Sequence, residues 1–250
     1  MILCLDAGNS RLKAGLWQTG EWVRREAIDY ADFDAWAISL PVGISRLVAC
    51  NVAGAEIAQQ IDALSVKLSS HLDWLRSSAA TCDVHSGYRQ PEQLGADRWA
   101  ALIAARGRQL HDVGPLAGNA LVVVMAGTAT TIDGLDANGV FRGGLILPGI
   151  SLMRQALARG TAQLPHASGD FSEWPTDTAA AIVSGSLDAT AGAIERLQRR
   201  LSALSAAPVH CLLGGGAAEA LRGQLDLSLT LAPDLVLEGL LRFAQALRDE

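Results

Sequence analysis

The chain lacks any run of the ~18 apolar residues that a bilayer-spanning helix needs. Its opening, Met1-Ile2-Leu3-Cys4-Leu5-Asp6, puts no basic region ahead of the apolar residues, as a secretory leader would. Basic clusters are missing too. None exceeds the pairs Arg24-Arg25 and Arg199-Arg200, and 20 Lys and Arg against 26 Asp and Glu leave a net charge of -6. This balance argues against nucleic acid as the main ligand, and the absences together predict a cytoplasmic protein with no membrane partner.

Cysteine is sparse. Cys4, Cys50, Cys82 and Cys211 lie far apart, three of them inside apolar runs, and they read as buried free thiols, since a cytosolic chain rarely needs disulfides. Cys82 and His85 have ligand-like spacing, but no second pair accompanies them, so no structural zinc is expected. His71, His85, His111, His166 and His210 show no paired spacing and read as surface or core residues. The six tryptophans read as packing residues, with Trp174 placed where it also suits closure over a ligand. No long linker is visible. With 50% hydrophobic and only 18% charged residues, the chain is compact and globular, and its 250 residues fit one large domain or two of about 120.

What is present is a repeat. Ile2-Leu3-Cys4-Leu5 runs into Asp6-Ala7-Gly8-Asn9-Ser10 with Lys13 close behind, and Val122-Val123-Val124 runs into Met125-Ala126-Gly127-Thr128-Ala129. Laid over each other without a gap, the segments match at Ala7/Ala126, Gly8/Gly127, Gly15/Gly134, Leu16/Leu135 and Gly20/Gly139. A repeated strand, glycine turn and strand predicts a nucleotide held between two related halves, 1–116 and 117–250.

Hydrophobic periodicity fills in the rest. Residues 2–5, 12–17 and 21–25 predict a β-meander with Gly15 and Gln18-Thr19-Gly20 as punctuation, and 46–50 a buried strand. Ile57, Ile61, Leu64 and Leu68 recur at helical spacing, so a crossover helix spans 55–68. Further helices are expected over 97–110, 151–159 and 178–201, and strands over 120–124, 140–144 and 209–213, the last running into Gly214-Gly215-Gly216 and a helix from about Ala217. Alternating strands and helices make this an α/β protein. Residues 160–177 read as a mobile loop of the kind that covers an active site.

Several residues have the right chemistry for phosphoryl transfer. A glycine turn lets backbone N–H groups approach phosphate oxygens. Asp6, at a strand end, suits a hard cation such as Mg²⁺, and Lys13 a phosphoryl group. Gly127-Thr128-Ala129-Thr130-Thr131 offers donors at the matching place, and Gly214 and Gly215 precede a helix N-terminus, which favours anions. In Tyr88-Arg89-Gln90-Pro91-Glu92-Gln93-Leu94-Gly95-Ala96-Asp97-Arg98, Asp97 suits a base that orients a hydroxyl and Arg98 a carboxylate. Asp97 reads equally well as a helix N-cap.

The segments Asp6 to Lys13, Tyr88 to Arg98, Gly127-Thr-Ala-Thr-Thr-x-Asp133, Gly143-Gly-x-x-x-Pro-Gly149 and Gly214 to Gly216 occur in the order seen in type III pantothenate kinases, which the sequence resembles over nearly its whole length. The resemblance implies the duplicated actin-like (ribonuclease H-like) fold of the acetate and sugar kinases, with mixed sheets and a cleft between two halves. It also implies ATP and Mg²⁺, pantothenate as acceptor and a homodimer whose substrate pocket is completed across the interface. By position, Asp97 is the implied base. Tyr88, Gly95, Ala96 and Arg98 are implied at the pantothenate pocket, with Thr178 contributed by the partner subunit. Asp6, Gly8, Asn9, Ser10, Lys13, Gly127, Thr128, Gly214 and Gly215 are implied at nucleotide and phosphate, Asp6 also at the metal. Members commonly carry an acidic residue where this chain has Met125, and that carboxylate helps hold a monovalent cation such as K⁺ or NH₄⁺. A thioether does not replace an oxygen ligand for a hard ion, so the cation is in doubt here. Two alternatives stay open: a kinase of the same superfold acting on a sugar-like hydroxyl compound, and a non-catalytic accessory protein that keeps the nucleotide cleft.

Overall fold

The computed structural model describes every residue except Asp112, Val113, Pro115, Ala162, Gln163, Pro165, His166, Ala206, Arg248, Asp249 and Glu250. It divides into two compact units, one of Met1–His111, Gly139–Phe141 and Asp234–Glu250, the other of Asp112–Asn138 and Arg142–Pro233. His166 and part of the loop expected over 160–177 therefore lie outside the described residues.

The first unit opens with the expected meander, β1 (Ile2–Ala7), β2 (Leu12–Gln18) and β3 (Glu21–Ile28). Thr19 and Gly20, at φ 47° and 95°, make the two-residue turn with both φ positive that matches strand twist in a hairpin. Gly15 does not interrupt β2. A Cβ there would lie 2.5 Å from the Trp22 ring, so the glycine makes room for that indole. A 3₁₀ turn at Tyr30–Asp32 leads into α1 (Phe33–Ile38), then β4 (Arg46–Asn51), the crossover helix α2 (Ala55–Lys67) and β5 (His71–Trp74). The sheet order is β3-β2-β1-β4-β5, antiparallel through the meander and parallel from β1 through β4 to β5. As the central strand, β1 is buried along its full length, which is why it reads as a continuous apolar run. Edge strand β3 alternates exposed and half-buried residues. Leu3, Leu5, Leu12, Leu47, Phe33, Trp36, Ile61 and Leu64 form the core on one face. Next come the short hairpin β6 (Ala80–Thr81) and β7 (Val84–Ser86), a 3₁₀ turn at Pro91–Gln93 and the long helix α3 (Ala96–His111).

The second unit repeats the opening hairpin as β8 (Ala120–Ala126) and β9 (Ala129–Leu135), followed by β10 (Val140–Pro148), α4 (Ile150–Gly160), α5 (Thr178–Leu204), β11 (Val209–Gly214), α6 (Ala218–Arg222) and β12 (Leu229–Leu231). Its strands lie in the order β12-β11-β8-β9-β10, with β11 parallel to both neighbours. Val122, Val124, Ile132, Val183, Leu187, Ile194 and Leu213 are central to its core. Val140 and Phe141, at the start of β10, pair in parallel with His85 and Ser86 of β7. The last helix, α7 (Leu235–Ala246), packs within the first unit against β1, β2, β4 and α3. A Cβ on Gly239 would fall 1.8 Å from the Ala100 carbonyl oxygen, so α3 and α7 touch backbone to backbone and only glycine fits.

The two hairpins are related, but not by an ungapped match. Ala7 pairs with Leu12 and Ala126 with Thr130, so the second turn is one residue shorter. Ala7/Ala126 and Gly8/Gly127 remain equivalent. Beyond the turn the ungapped correspondence fails: Gly15 lies opposite Cys4, whereas Gly134 lies opposite Val122. A one-residue slip moves side chains to the other face of a sheet, so the matches at Gly15/Gly134, Leu16/Leu135 and Gly20/Gly139 do not mark equivalent positions. The pair that corresponds to Asp6 and Lys13 is Met125 and Thr131.

Candidate active site

Asp6 is the penultimate residue of β1 and only 5% exposed. Lys13 sits opposite it on β2, with Nζ 3.9 Å from Oδ2. Cys50 sits opposite on β4, and its thiol donates to Oδ1 at 3.6 Å, a length ordinary for sulfur. Burial pushes the Asp6 carboxyl up to about 6; the Lys13 charge and the Cys50 thiol pull it down, and the negative charge of Asp97 pushes it up. The same burial raises the Cys50 thiol well above its ordinary range, helped by the charges of Asp6 and Asp97. Cys50 is therefore a neutral thiol that donates rather than a reactive thiolate.

Asp97 is the second residue of α3, which begins at Ala96. It is inside the helix rather than its N-cap. Its Oδ1 accepts the Arg98 N–H at 2.8 Å, one of the first-turn donors that a helix leaves open. Gly95 creates the space for this: a Cβ there would lie 2.6 Å from Asp97 Oδ1. The 3₁₀ turn begun by Pro91, closed by Leu94 N–H donating to the Pro91 carbonyl at 3.1 Å, delivers the chain to that point. Arg98 points inward and is 5% exposed. Its Nη1 donates to Tyr88 Oη at 3.3 Å, and its guanidinium lies 5.9 Å from the ring centres of Tyr88 and Phe141. Tyr88, Gly95, Ala96, Asp97 and Arg98 thus form one group, which extends by charge to Asp6. Sequence reading missed Phe141, 5.1 Å from the Tyr88 ring, because only the fold brings it there.

Gly8, Asn9 and Ser10 form the turn after β1, with Asn9 and Ser10 exposed. In the second unit the corresponding turn is Gly127-Thr128, and glycines brace it. The Gly149 N–H donates to the Thr128 carbonyl at 2.9 Å, and a Cβ on Gly149 would come 2.2 Å from the Gly127 carbonyl oxygen. Gly215, at φ +94°, leaves no room for a Cβ beside Ala126, whose carbonyl accepts the Ala217 N–H at 3.1 Å. Gly149 and Gly215 are therefore explained by packing against the β8–β9 turn, whereas a Cβ on Gly143 or Gly216 would meet nothing within 4 Å. Thr178 is the first residue of α5, exposed, behind the Asp177 cap whose side chain accepts the Ala180 N–H at 2.9 Å.

The donor set at Asp6 fits Mg²⁺. The ion is usually held by one or two carboxylates together with substrate phosphates, and here one buried carboxylate already feels the negative charge of a second. Met125 is different. Its thioether would lie 3.0 Å from a Cβ on Gly214, and the hydroxyl of its strand partner Thr131 is buried without a hydrogen-bond partner. A thioether beside a neutral hydroxyl supplies no anionic oxygen for a hard cation. Among the described residues, no group of three or more His, Cys, Asp or Glu is gathered as a metal-ligand set, and no helix is long and apolar enough to cross a membrane. Cys82 occupies the tight turn between β6 and β7. His210 is buried, bonded to Ser228 and Thr230 through its two ring nitrogens at 2.7 and 2.9 Å.

A family model described as Type III pantothenate kinase matches residues 2–200. The protein named Type III pantothenate kinase from Aromatoleum aromaticum is 47% identical over 242 residues, covering 96% of each chain. Among solved structures, a Campylobacter jejuni protein described as a Baf family transcriptional activator is similar at a TM-score of 0.65 and 20% identity, over 99% of this chain and 100% of that one. MreB5 of Spiroplasma citri, solved bound to ADP, gives 0.53 and 9% identity over 99% and 97%. At such identities these two speak for the fold alone, the duplicated actin-like α/β fold.

The raised carboxyl of Asp6 carries a sign that can be tested. Its folded-state value, about 6 against 3.8, means that protonation stabilises the fold fully below pH 4 and that this is lost as pH rises through 6, where the buried charge costs about 3 kcal/mol. Asp6→Asn is expected to be more stable than the native chain at pH 8 by about 1–3 kcal/mol, with the difference shrinking toward zero near pH 4. Urea unfolding at the two pH values measures it. An equal gain at both, or a loss at pH 8, contradicts the assignment.

Proposed function

The chain belongs to the type III pantothenate kinase family, and on that premise we propose that Asp97 is the base of its phosphoryl transfer. The enzyme uses ATP to convert pantothenate to 4'-phosphopantothenate, the first step of coenzyme A biosynthesis. The observation that favours Asp97 is its place: a carboxylate in the first turn of α3, given room by Gly95 and close enough to Asp6 to raise the carboxyl there. In this reading Asp97 orients the pantothenate hydroxyl and takes its proton as the oxygen attacks the terminal phosphorus of ATP and ADP departs. Phosphoryl transfer asks little covalent work of the protein, so positioning and charge neutralisation dominate.

The remaining roles follow by position. Tyr88, Gly95, Ala96 and Arg98 line the pantothenate pocket; Arg98 offers its guanidinium to the carboxylate, already oriented by the Tyr88 and Phe141 rings. Gly8, Asn9, Ser10 and Lys13 bind phosphate through backbone N–H groups and a point charge. Gly127 and Thr128, with Gly214 and Gly215, serve the nucleotide. Asp6 would hold Mg²⁺, which would supply charge neutralisation at the phosphates. The reaction needs no monovalent cation at residue 125, because the thioether there offers nothing to hold it. A homodimer, with Thr178 of one protomer completing the pocket of the other, accords with the exposed Thr178 and with the exposed apolar side chains Ile146, Leu152 and Leu157 on β10 and α4. The cytoplasm is the proposed location.

Asp97→Asn is expected to lower kcat by about 10²–10⁴-fold while leaving KM for ATP within a few fold; a coupled ADP assay that finds the native rate rejects the role of Asp97. Exchanging potassium or ammonium for sodium at constant ionic strength is expected to leave the native rate unchanged, and a rate that depends on potassium places a cation site elsewhere in the chain. Sedimentation equilibrium is expected to return twice the chain mass, and a monomer at assay concentration removes the shared pocket.

A further inference from the structure

We propose that Tyr30 is a positioning residue for the phosphates of ATP: its hydroxyl fixes the peptide between Gly8 and Asn9 so that the Asn9 N–H is presented to a phosphate oxygen. The inference rests on the phosphate role proposed above for the β1–β2 turn. Tyr30 Oη donates to the Gly8 carbonyl oxygen at 2.5 Å. In a planar trans peptide the C=O and the following N–H point in opposite directions. Anchoring the Gly8 oxygen on the side of Tyr30 therefore directs the Asn9 N–H to the other side, where Asn9 and Ser10 are exposed. Residues 8–11 lie between β1 and β2 rather than within either strand, so an anchor from outside the hairpin has an orientation to set.

The fold brings the phenol to this place for a topological reason. Ile28, the last residue of β3, pairs with Leu12, which pairs with Ala7. The third strand thus ends level with the turn, and the 3₁₀ turn at Tyr30–Asp32 carries the ring across to it. The phenol stays protonated at any working pH, since burial, followed by the negative charge of Asp6, pushes it up to about 12. It is thus always a donor. A preset N–H gives more binding than a mobile one because its ordering cost is already met in the free protein.

The test is Tyr30→Phe, which removes one hydroxyl and keeps the ring. Steady-state kinetics are expected to show KM for ATP raised about three- to tenfold, the effect of one hydrogen bond, with KM for pantothenate and the melting temperature unchanged. An unchanged KM for ATP overturns the proposal, and so does a rise in both KM values accompanied by a lower melting temperature, which marks a merely structural contact. Lys13→Ala separates the inference from its premise. If that variant also leaves KM for ATP unchanged, the turn does not hold phosphate and the premise falls; if only Tyr30→Phe does so, the premise stands and the role of Tyr30 alone fails.

Discussion

A buried carboxylate at the end of a central strand is costly, and the first unit is organised around the one at Asp6. β1 is flanked by β2 and β4, so the side chain of Asp6 is reached from one neighbour by Lys13 and from the other by Cys50. Neither partner neutralises it fully: the ammonium is 3.9 Å away, and the thiol is a weak donor. Asp97 adds repulsion. The carboxyl consequently stays well above its ordinary range.

The second unit uses the same hairpin with different chemistry. Met125 and Thr131 stand where the first unit has Asp6 and Lys13, so the charged pair has become a thioether and a hydroxyl. What survives is the turn. Gly149 and Gly215 press backbone against backbone around it, and any side chain at either place would displace Gly127 or Ala126. The shortened turn thus has its shape constrained from outside by these two glycines.

Much of this was legible in the sequence because the elements have strong local signals. β1, β4, α2, α3 and β11 follow from apolar runs or from helical spacing, and the Gly95-Ala96-Asp97-Arg98 segment announces a break before a helix. The one-residue difference between the hairpins was not legible, since a match at Gly15 and Gly134 looks like homology until strand register shows the two on different faces. Nor could the sequence say whether Asp97 caps the helix: that turns on a shift of one residue, and the start of α3 at Ala96 puts Asp97 inside the first turn. Tyr30, Cys50 as the partner of Asp6, and Phe141 beside Tyr88 are contacts between distant segments, which leave no trace in local pattern. The packing of α7 into the first unit has the same origin, for it depends on Gly239 meeting Ala100 across more than half the chain.

The protein transfers phosphate from ATP to the hydroxyl of pantothenate. Purified protein incubated with ATP, Mg²⁺ and pantothenate, followed by mass spectrometry of both products, tests it most directly. 4'-Phosphopantothenate is expected to form in step with ADP, with no ADP above background when pantothenate is left out. ADP released without pantothenate, or a sugar phosphorylated while pantothenate stays intact, would contradict it.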